Sequence, residues 1–259
     1  MDIATILGFV SGIALICWGI MGSGDLLTFI HPSSLAIVLG GTIASTLISF
    51  PLAKVTNTFK VVKKAFFTKP ISQQDVISQM ITLANVARKE GLLALEEAGD
   101  KADNYFMKKG IMLIVDGTDP ELVRNVLETE LNFLEERHQE GQSVLNTMAA
   151  FSPAFGMVGT LIGLINMLKE LSDPTSVGPN MSVALITTFY GTVFANLIFT
   201  PLANKLKGRS NEELLVKEMI VEGLLSIQAG ENPRIIEEKL ITFVPPKDRK
   251  ETKKAEGEA

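Results

Sequence analysis

The sequence predicts an all-α integral membrane protein with four transmembrane helices, a large helical cytoplasmic insertion between spans 2 and 3, and long helices extending from spans 3 and 4 into the cytoplasm. Three observations carry this prediction. Charged residues make up 20% of the chain, yet four long runs contain none of them. The segment between the second and third runs has helical periodicity. Lysine and arginine crowd onto one side of the runs they flank.

The four runs are Ile3 to Met21, Ser34 to Ala53, Met148 to Leu168 and Met181 to Asn204, and none holds Asp, Glu, Lys or Arg. A bilayer core takes about 20 apolar residues as helix, which each run supplies. One such run can be a buried helix of a soluble protein; four in a chain of mean hydropathy +0.27 point to a membrane. The first run has Asp2 as its only early charge, lacks a basic n-region and shows no clear small-x-small cleavage site. It therefore reads as a retained helix and not as a cleaved signal peptide.

Orientation follows from the basic residues. Lys54, Lys60, Lys63, Lys64 and Lys69 follow span 2, and Lys205, Lys207 and Arg209 follow span 4. The stretch 22–33 has no Lys or Arg, and 169–180 has only Lys169. Both termini and the middle segment are expected in the cytoplasm. The chain then divides into a transmembrane hairpin (1–53), a cytoplasmic helical domain (54–147), a second hairpin (148–204), C-terminal cytoplasmic helices (205–244) and a proline- and charge-rich tail (245–259) expected to be disordered.

In the insertion, Ser72-Gln-Gln-Asp75 fits a capping pattern. Val76, Ile77, Met80, Ile81, Ala84 and Ala87 recur at helical spacing, and Gly91 breaks it. A second helix is expected from Lys101 to Val115, with a turn at Asp116-Gly117. Asp119-Pro120-Glu121 then reads as N-cap, first position and acidic first turn. Nothing stops this helix before Leu168, a length of about 70 Å at 1.5 Å per residue. Span 4 is expected to continue through Lys205 to Gln228, with Gly208 and Gly230 as candidate interruptions.

The four runs hold no carboxylate, lysine, arginine or histidine. Pumps and transporters keep such groups in the membrane to handle an ion, so any ion this chain conducts must titrate on a partner. What the spans do hold is small and hydroxylated. Gly156, Gly159, Thr160 and Gly163 cluster in span 3; Ala184, Thr188, Gly191, Thr192 and Ala195 recur at three- and four-residue steps in span 4. Such faces let helices pack closely in lipid. Alternatively, Thr160 and Thr188 line an ion path, offering oxygens without the desolvation cost of a buried charge. Pro153 and Pro201 lie near the inner ends of spans 3 and 4. Each removes a helix hydrogen bond and favours a kink; at matching depth the two suggest a hinge, although membrane helices also tolerate proline without one.

Other chemistry is not supported. The net charge is −5, with no basic, aromatic-interleaved stretch for nucleic acid. Cys17, alone, excludes an internal disulfide framework. His31 and His138 fall on opposite sides of the membrane in this topology, so they cannot share a metal, and no cofactor motif or catalytic constellation can be assembled. The charges of Ala87-Arg88-Lys89-Glu90-Gly91-Leu92-Leu93-Ala94-Leu95-Glu96-Glu97 read either as a solvated face or as a docking patch of both signs.

That last segment, together with Ser152-Pro-Ala-Phe-Gly-Met-Val-Gly-Thr-Leu-Ile-Gly-Leu164 and Val183-Ala-Leu-Ile-Thr-Thr-Phe-Tyr-Gly-Thr192 leading to Pro201, resembles the flagellar stator A-subunit family, MotA of proton motors and PomA of sodium motors. Topology and insertion match as well, so the resemblance covers nearly the whole chain. It implies a homopentamer around a dimer of MotB-type subunits in the bacterial inner membrane. Each B subunit would have one span bearing an aspartate and a peptidoglycan-binding domain. Ion flow, of protons or sodium, would turn the pentamer against the rotor protein FliG. By the same resemblance Arg88 and Glu96 match rotor-contact positions, with Lys89 and Glu97 beside them. Pro153 and Pro201 match the family's two functional prolines, and Thr160 and Thr188 match hydroxyl positions of the ion path. The nearest alternative is an ExbB/TolQ-type energiser of outer-membrane transport, whose members have three spans where four are counted here.

Overall fold

The computed structural model describes residues 3–22, 24–67, 72–100 and 104–246, and every regular element among them is helical. The chain divides into two compact units, 1–69 with 138–208 and 70–137 with 209–259. Four helices are long and apolar enough to cross a membrane: Ile3–Met21, Leu26–Ser49, Pro120–Lys169 and Pro174–Gln228.

In the first unit, α1 (Ile3–Met21) is apolar on every side and buries none of its residues within the chain, as suits a helix solvated by lipid. Asp25 then caps a short 3-10 turn, Leu26–Phe29, and His31 caps α2 (32–49) with Pro32 in its first turn. Within α2 the stretch Ala36–Gly40 widens into a π turn. Just beyond it, Gly41 has no side chain to keep the Phe155 ring away. The buried hydroxyls of Thr42 and Thr46 donate to the carbonyls of Val38 (2.6 Å) and Thr42 (2.7 Å), so neither is stranded in an apolar setting.

α2 stops at Ser49, four residues before the uncharged run ends. Pro51 is the cause: the residue before a proline is pushed out of the helical region, and Phe50 is extended at φ −134°, ψ 145°. α3 (Leu52–Phe67) then starts afresh, and Lys54 pairs with Glu140 across the unit. Val55, Val144, Leu145, Met148, Phe199, Ala203 and Leu206 form the core here.

The second unit contains α4 (Gln73–Glu90), α5 (Leu95–Asp100), α6 (Tyr105–Val115), the start of α7 (Pro120–Lys169), the end of α8 (174–228, through a π turn at Phe194–Phe199) and α9 (Pro233–Ile241). Ser72 caps α4 as the sequence pattern expects, and Asn104 and Asn232 cap α6 and α9; each accepts a backbone N–H through its side chain. Asp119 accepts the amide of Glu121 at 2.9 Å. Residues 101–103 lie outside the described residues, and the helix expected from Lys101 begins at Tyr105. Gly208 does not interrupt α8; the helix ends at Gln228, and Gly230 (φ 73°) takes the left-handed turn after it. The tail beyond residue 246 lies outside the described residues.

Ile77, Met80, Leu95, Phe106, Ile111, Leu127 and Leu224 are at most 2% exposed and centre one core. Each such side chain contributes about 1.5–3 kcal/mol by leaving water. Around it runs a chain of ion pairs, Arg124–Glu222 (3.7 Å), Glu222–Lys239 (4.0 Å) and Lys239–Glu231 (2.6 Å), joining α7, α8 and α9.

Candidate functional site

The membrane-spanning parts of α7 and α8 meet along a seam where side chains are small. A methyl group on Gly163 would lie 2.7 Å from the Ala184 nitrogen, and one on Gly191 would lie 2.7 Å from the Ser152 carbonyl. On Gly159 it would run into the Thr187 side chain. Two helix backbones therefore come as close as sterics allow, in the manner of small-residue packing in lipid.

This closeness brings the two predicted threonines together. The hydroxyl of Thr160 lies 2.9 Å from the Ala184 carbonyl and 3.1 Å from its own Gly156 carbonyl, and it hydrogen-bonds the hydroxyl of Thr188. Thr187 and Thr188 also reach the Ala184 carbonyl, at 3.0 and 3.3 Å. Each hydroxyl has one proton and two lone pairs. With one proton directed at the Ala184 carbonyl and the other at the partner hydroxyl, the pair keeps lone pairs for a further donor or a cation. Thr188 is exposed and Thr160 half-buried, whereas Thr187 is buried. The open side of the seam is therefore the Thr160/Thr188 side.

Pro153 sits beside this seam: its Cα would lie 3.1 Å from a methyl on Gly191. α7 runs through it without a break. Its neighbour Ser152 is wholly buried with no partner for its hydroxyl. Pro201 is exposed and lies two residues beyond the π turn Phe194–Phe199.

Tyr190 was not anticipated from the sequence. Its hydroxyl donates to the Phe29 carbonyl and accepts the His31 amide at 3.1 Å, which ties the entry to α2 onto α8 two residues from Thr188. A tyrosine in an apolar span gives no sequence signal of such a strap, because the partners are backbone groups far away in the chain. At the 3–4 loop, Asp173 caps α8 and accepts the Thr175 hydroxyl (2.7 Å) and amide (3.0 Å). These bonds hold its carboxyl below the usual aspartate value, the side-chain bond being the larger cause.

In the second unit Arg88, Lys89 and Glu90 end α4, all three exposed. Gly91 (φ 89°) turns the chain in a conformation only glycine adopts without strain. Leu95, 0% exposed, anchors the return, and Glu96 and Glu97 stand exposed immediately after it. Between the two charge groups Leu93 is 75% exposed. The turn thus presents both signs around one apolar side chain. Among the described residues no group of three or more His, Cys, Asp or Glu is placed to hold a metal.

Comparison with known proteins agrees with this architecture. Residues 98–219 match the family described as MotA/TolQ/ExbB proton channel family, and residues 6–91 match that described as Motility protein A N-terminal. Motility protein A of Treponema pallidum (strain Nichols) is 40% identical over 251 residues, covering 97% of each chain. Among solved structures, C. jejuni MotAB superposes with a TM-score of 0.89 at 32% identity, covering 95% of this chain and 97% of that one. The flagellar MotAB stator complex from Bacillus subtilis gives 0.88 at 31% identity with the same coverage. The chain is therefore a multi-pass membrane protein and belongs to the motility protein A branch of the MotA/TolQ/ExbB proton channel family.

Proposed function

We propose that this protein is the channel-forming A subunit of a flagellar motor stator, which converts ion flow into torque on the rotor. One observation carries the mechanism: the span segments that meet at the Thr160/Thr188 hydroxyl pair carry no carboxylate, lysine, arginine or histidine, and the open side of the pair is exposed. Hydroxyls can replace part of a cation's water shell, but they cannot store and release a proton near neutral pH. A MotB-type single-span partner, anchored to peptidoglycan, supplies the carboxylate next to Thr160 and Thr188. The coupling ion is a proton or sodium, and no other cofactor takes part.

Five copies surround a dimer of the partner in the inner membrane, with both termini in the cytoplasm. Each ion that binds and leaves the partner's carboxylate favours the next A subunit as its neighbour, so the ring steps around the anchored dimer. Pro153 and Pro201 let α7 and α8 flex with each step, because neither proline offers the N–H that would stiffen its turn. The cytoplasmic units push the rotor protein FliG through Arg88 and Glu96, with Lys89 and Glu97 beside them. The match of residues 6–91 to the motility-specific N-terminal family supports this reading over an ExbB/TolQ-type energiser.

The test is deletion of the gene, scored for filaments and for swimming. Complete filaments that do not turn are expected. Normal swimming, in a strain without a second stator set, contradicts the proposal, and so does loss of the filaments themselves.

A further inference from the structure

Beyond Thr188, α8 carries polar side chains at every fourth position: Thr192, Asn196, Thr200 and Asn204. On a regular α-helix this spacing would not form a row. Four residues overshoot a turn of 3.6 residues by about 40°, so four successive steps from Thr188 would wind the residues nearly halfway round the helix. The π turn at Phe194–Phe199 lies in the middle of this stretch. Its bonds reach one residue further, each residue turns the chain less, and the drift is taken back where Asn196 and Thr200 fall. The row therefore continues on the Thr188 side. Thr188, Thr192, Asn196 and Asn204 are exposed and Thr200 half-buried. Two side-chain bonds run along it, from the Thr192 hydroxyl to the Thr188 carbonyl and from the Asn196 amide to the Thr192 carbonyl, each 3.0 Å.

The same turn frees backbone oxygen. The Thr200 amide donates to the Ala195 carbonyl, not to that of Asn196. The next residue, Pro201, has no N–H. The Asn196 carbonyl thus loses both ladder donors, and the Leu197 carbonyl loses its ordinary one. Asn196 also keeps its side-chain oxygen, since its amide nitrogen makes the bond to Thr192. An exposed amide and an unmatched carbonyl are costly against hydrocarbon, and non-helical backbone at membrane depth is tolerated where it lines a water-filled cavity or is buried in protein.

We infer that Thr192, Asn196, Thr200 and Asn204 line the inward exit of the ion path, with the Asn196 side-chain and backbone oxygens forming a polar way-station for a hydrated cation. The inference rests on the stator reading for the identity of the path. It assigns Pro201 a role besides flexing: the absence of its N–H keeps the Asn196 carbonyl available.

Cys17 is the only cysteine in the chain, so a Cys17→Ser background permits single-thiol probing. Asn196→Cys, Asn204→Cys and, as a lipid-facing control on span 1, Val10→Cys (61% exposed) are introduced in the native host. Inverted membrane vesicles are then treated with a charged, membrane-impermeant methanethiosulfonate. The exit reading expects Asn196→Cys and Asn204→Cys to react at least tenfold faster than Val10→Cys. It also expects Asn196→Leu to lower ion flux at least tenfold with normal membrane levels, and Asn196→Ser to recover much of it. Thiols as slow as Val10→Cys would mean that the row is buried against a protein neighbour, and would overturn the inference. Unchanged flux in Asn196→Leu would overturn it too. Labelling reports on water access whatever the protein drives, so a failed exit is distinguishable from a failed stator assignment, which the gene deletion reports.

Discussion

The hydroxyls of Thr160 and Thr188, from different spans, hydrogen-bond each other above one shared acceptor, the Ala184 carbonyl. The arrangement depends on glycine. Only where Gly156, Gly159 and Gly163 leave α7 bare can a threonine of each helix reach the same carbonyl.

Gly163→Ala therefore tests the seam itself. The added methyl would meet the Ala184 nitrogen at 2.7 Å and the Asn180 carbonyl at 2.8 Å, both backbone atoms that cannot rotate aside. Overpacking of this kind costs about 1–3 kcal/mol. A lowered melting temperature of the purified complex is expected, together with lost flux. Gly178→Ala, which meets nothing within 4 Å, should leave both unchanged.

The prolines should separate movement from assembly. Pro153→Leu and Pro201→Leu each restore an N–H donor and stiffen a turn. Tethered cells carrying either variant should rotate slowly or not at all while membrane levels and co-purification of the partner subunit stay near wild type. Unchanged rotation speed would remove the residue from the mechanism.

Charge reversal at Arg88 or Glu96 should reduce torque without unfolding the second unit. Both side chains are exposed, and exposed charges contribute only about 0–1 kcal/mol to stability. Swimming speed at normal protein level is the readout. Loss of the protein from the membrane in these variants would contradict a docking role.

Glu231 gives a pH signature. Its hydrogen bond from Lys239 is the main cause holding its carboxyl below the ordinary value of 4.5. A carboxylate whose pKa falls on folding stabilises the fold above its unfolded pKa, and that contribution is lost as pH falls through the folded value. Thermal stability of the wild type should thus decline below about pH 4.5. Glu231→Gln should be less stable than wild type near neutrality, and the two should converge in acid. Parallel curves would show that the pair contributes nothing.

Much of this architecture was legible in the sequence because membrane burial leaves an unmistakable mark. The absence of charge over a run needs no tertiary information, and the caps at Ser72 and Asp119 are written locally. The uncharged run continues past the helix end at Ser49; the stop comes from Pro51 acting on Phe50, a backbone effect that hydropathy does not register. The π turns at Ala36–Gly40 and Phe194–Phe199 have no composition of their own, so nothing in the sequence singles out Asn196. Thr160 and Thr188 were found from spacing and family resemblance. That they touch, with Ala184 between them, required coordinates.

The central claim is that the ion passes the Thr160/Thr188 pair, and flux through Thr188→Val compared with Thr188→Ser tests it most directly. Valine keeps the shape and removes the oxygen; serine keeps the oxygen. The account predicts that valine abolishes most ion flux and rotation at normal assembly while serine retains them. Equal flux in the two variants would contradict it and leave the pair a packing contact.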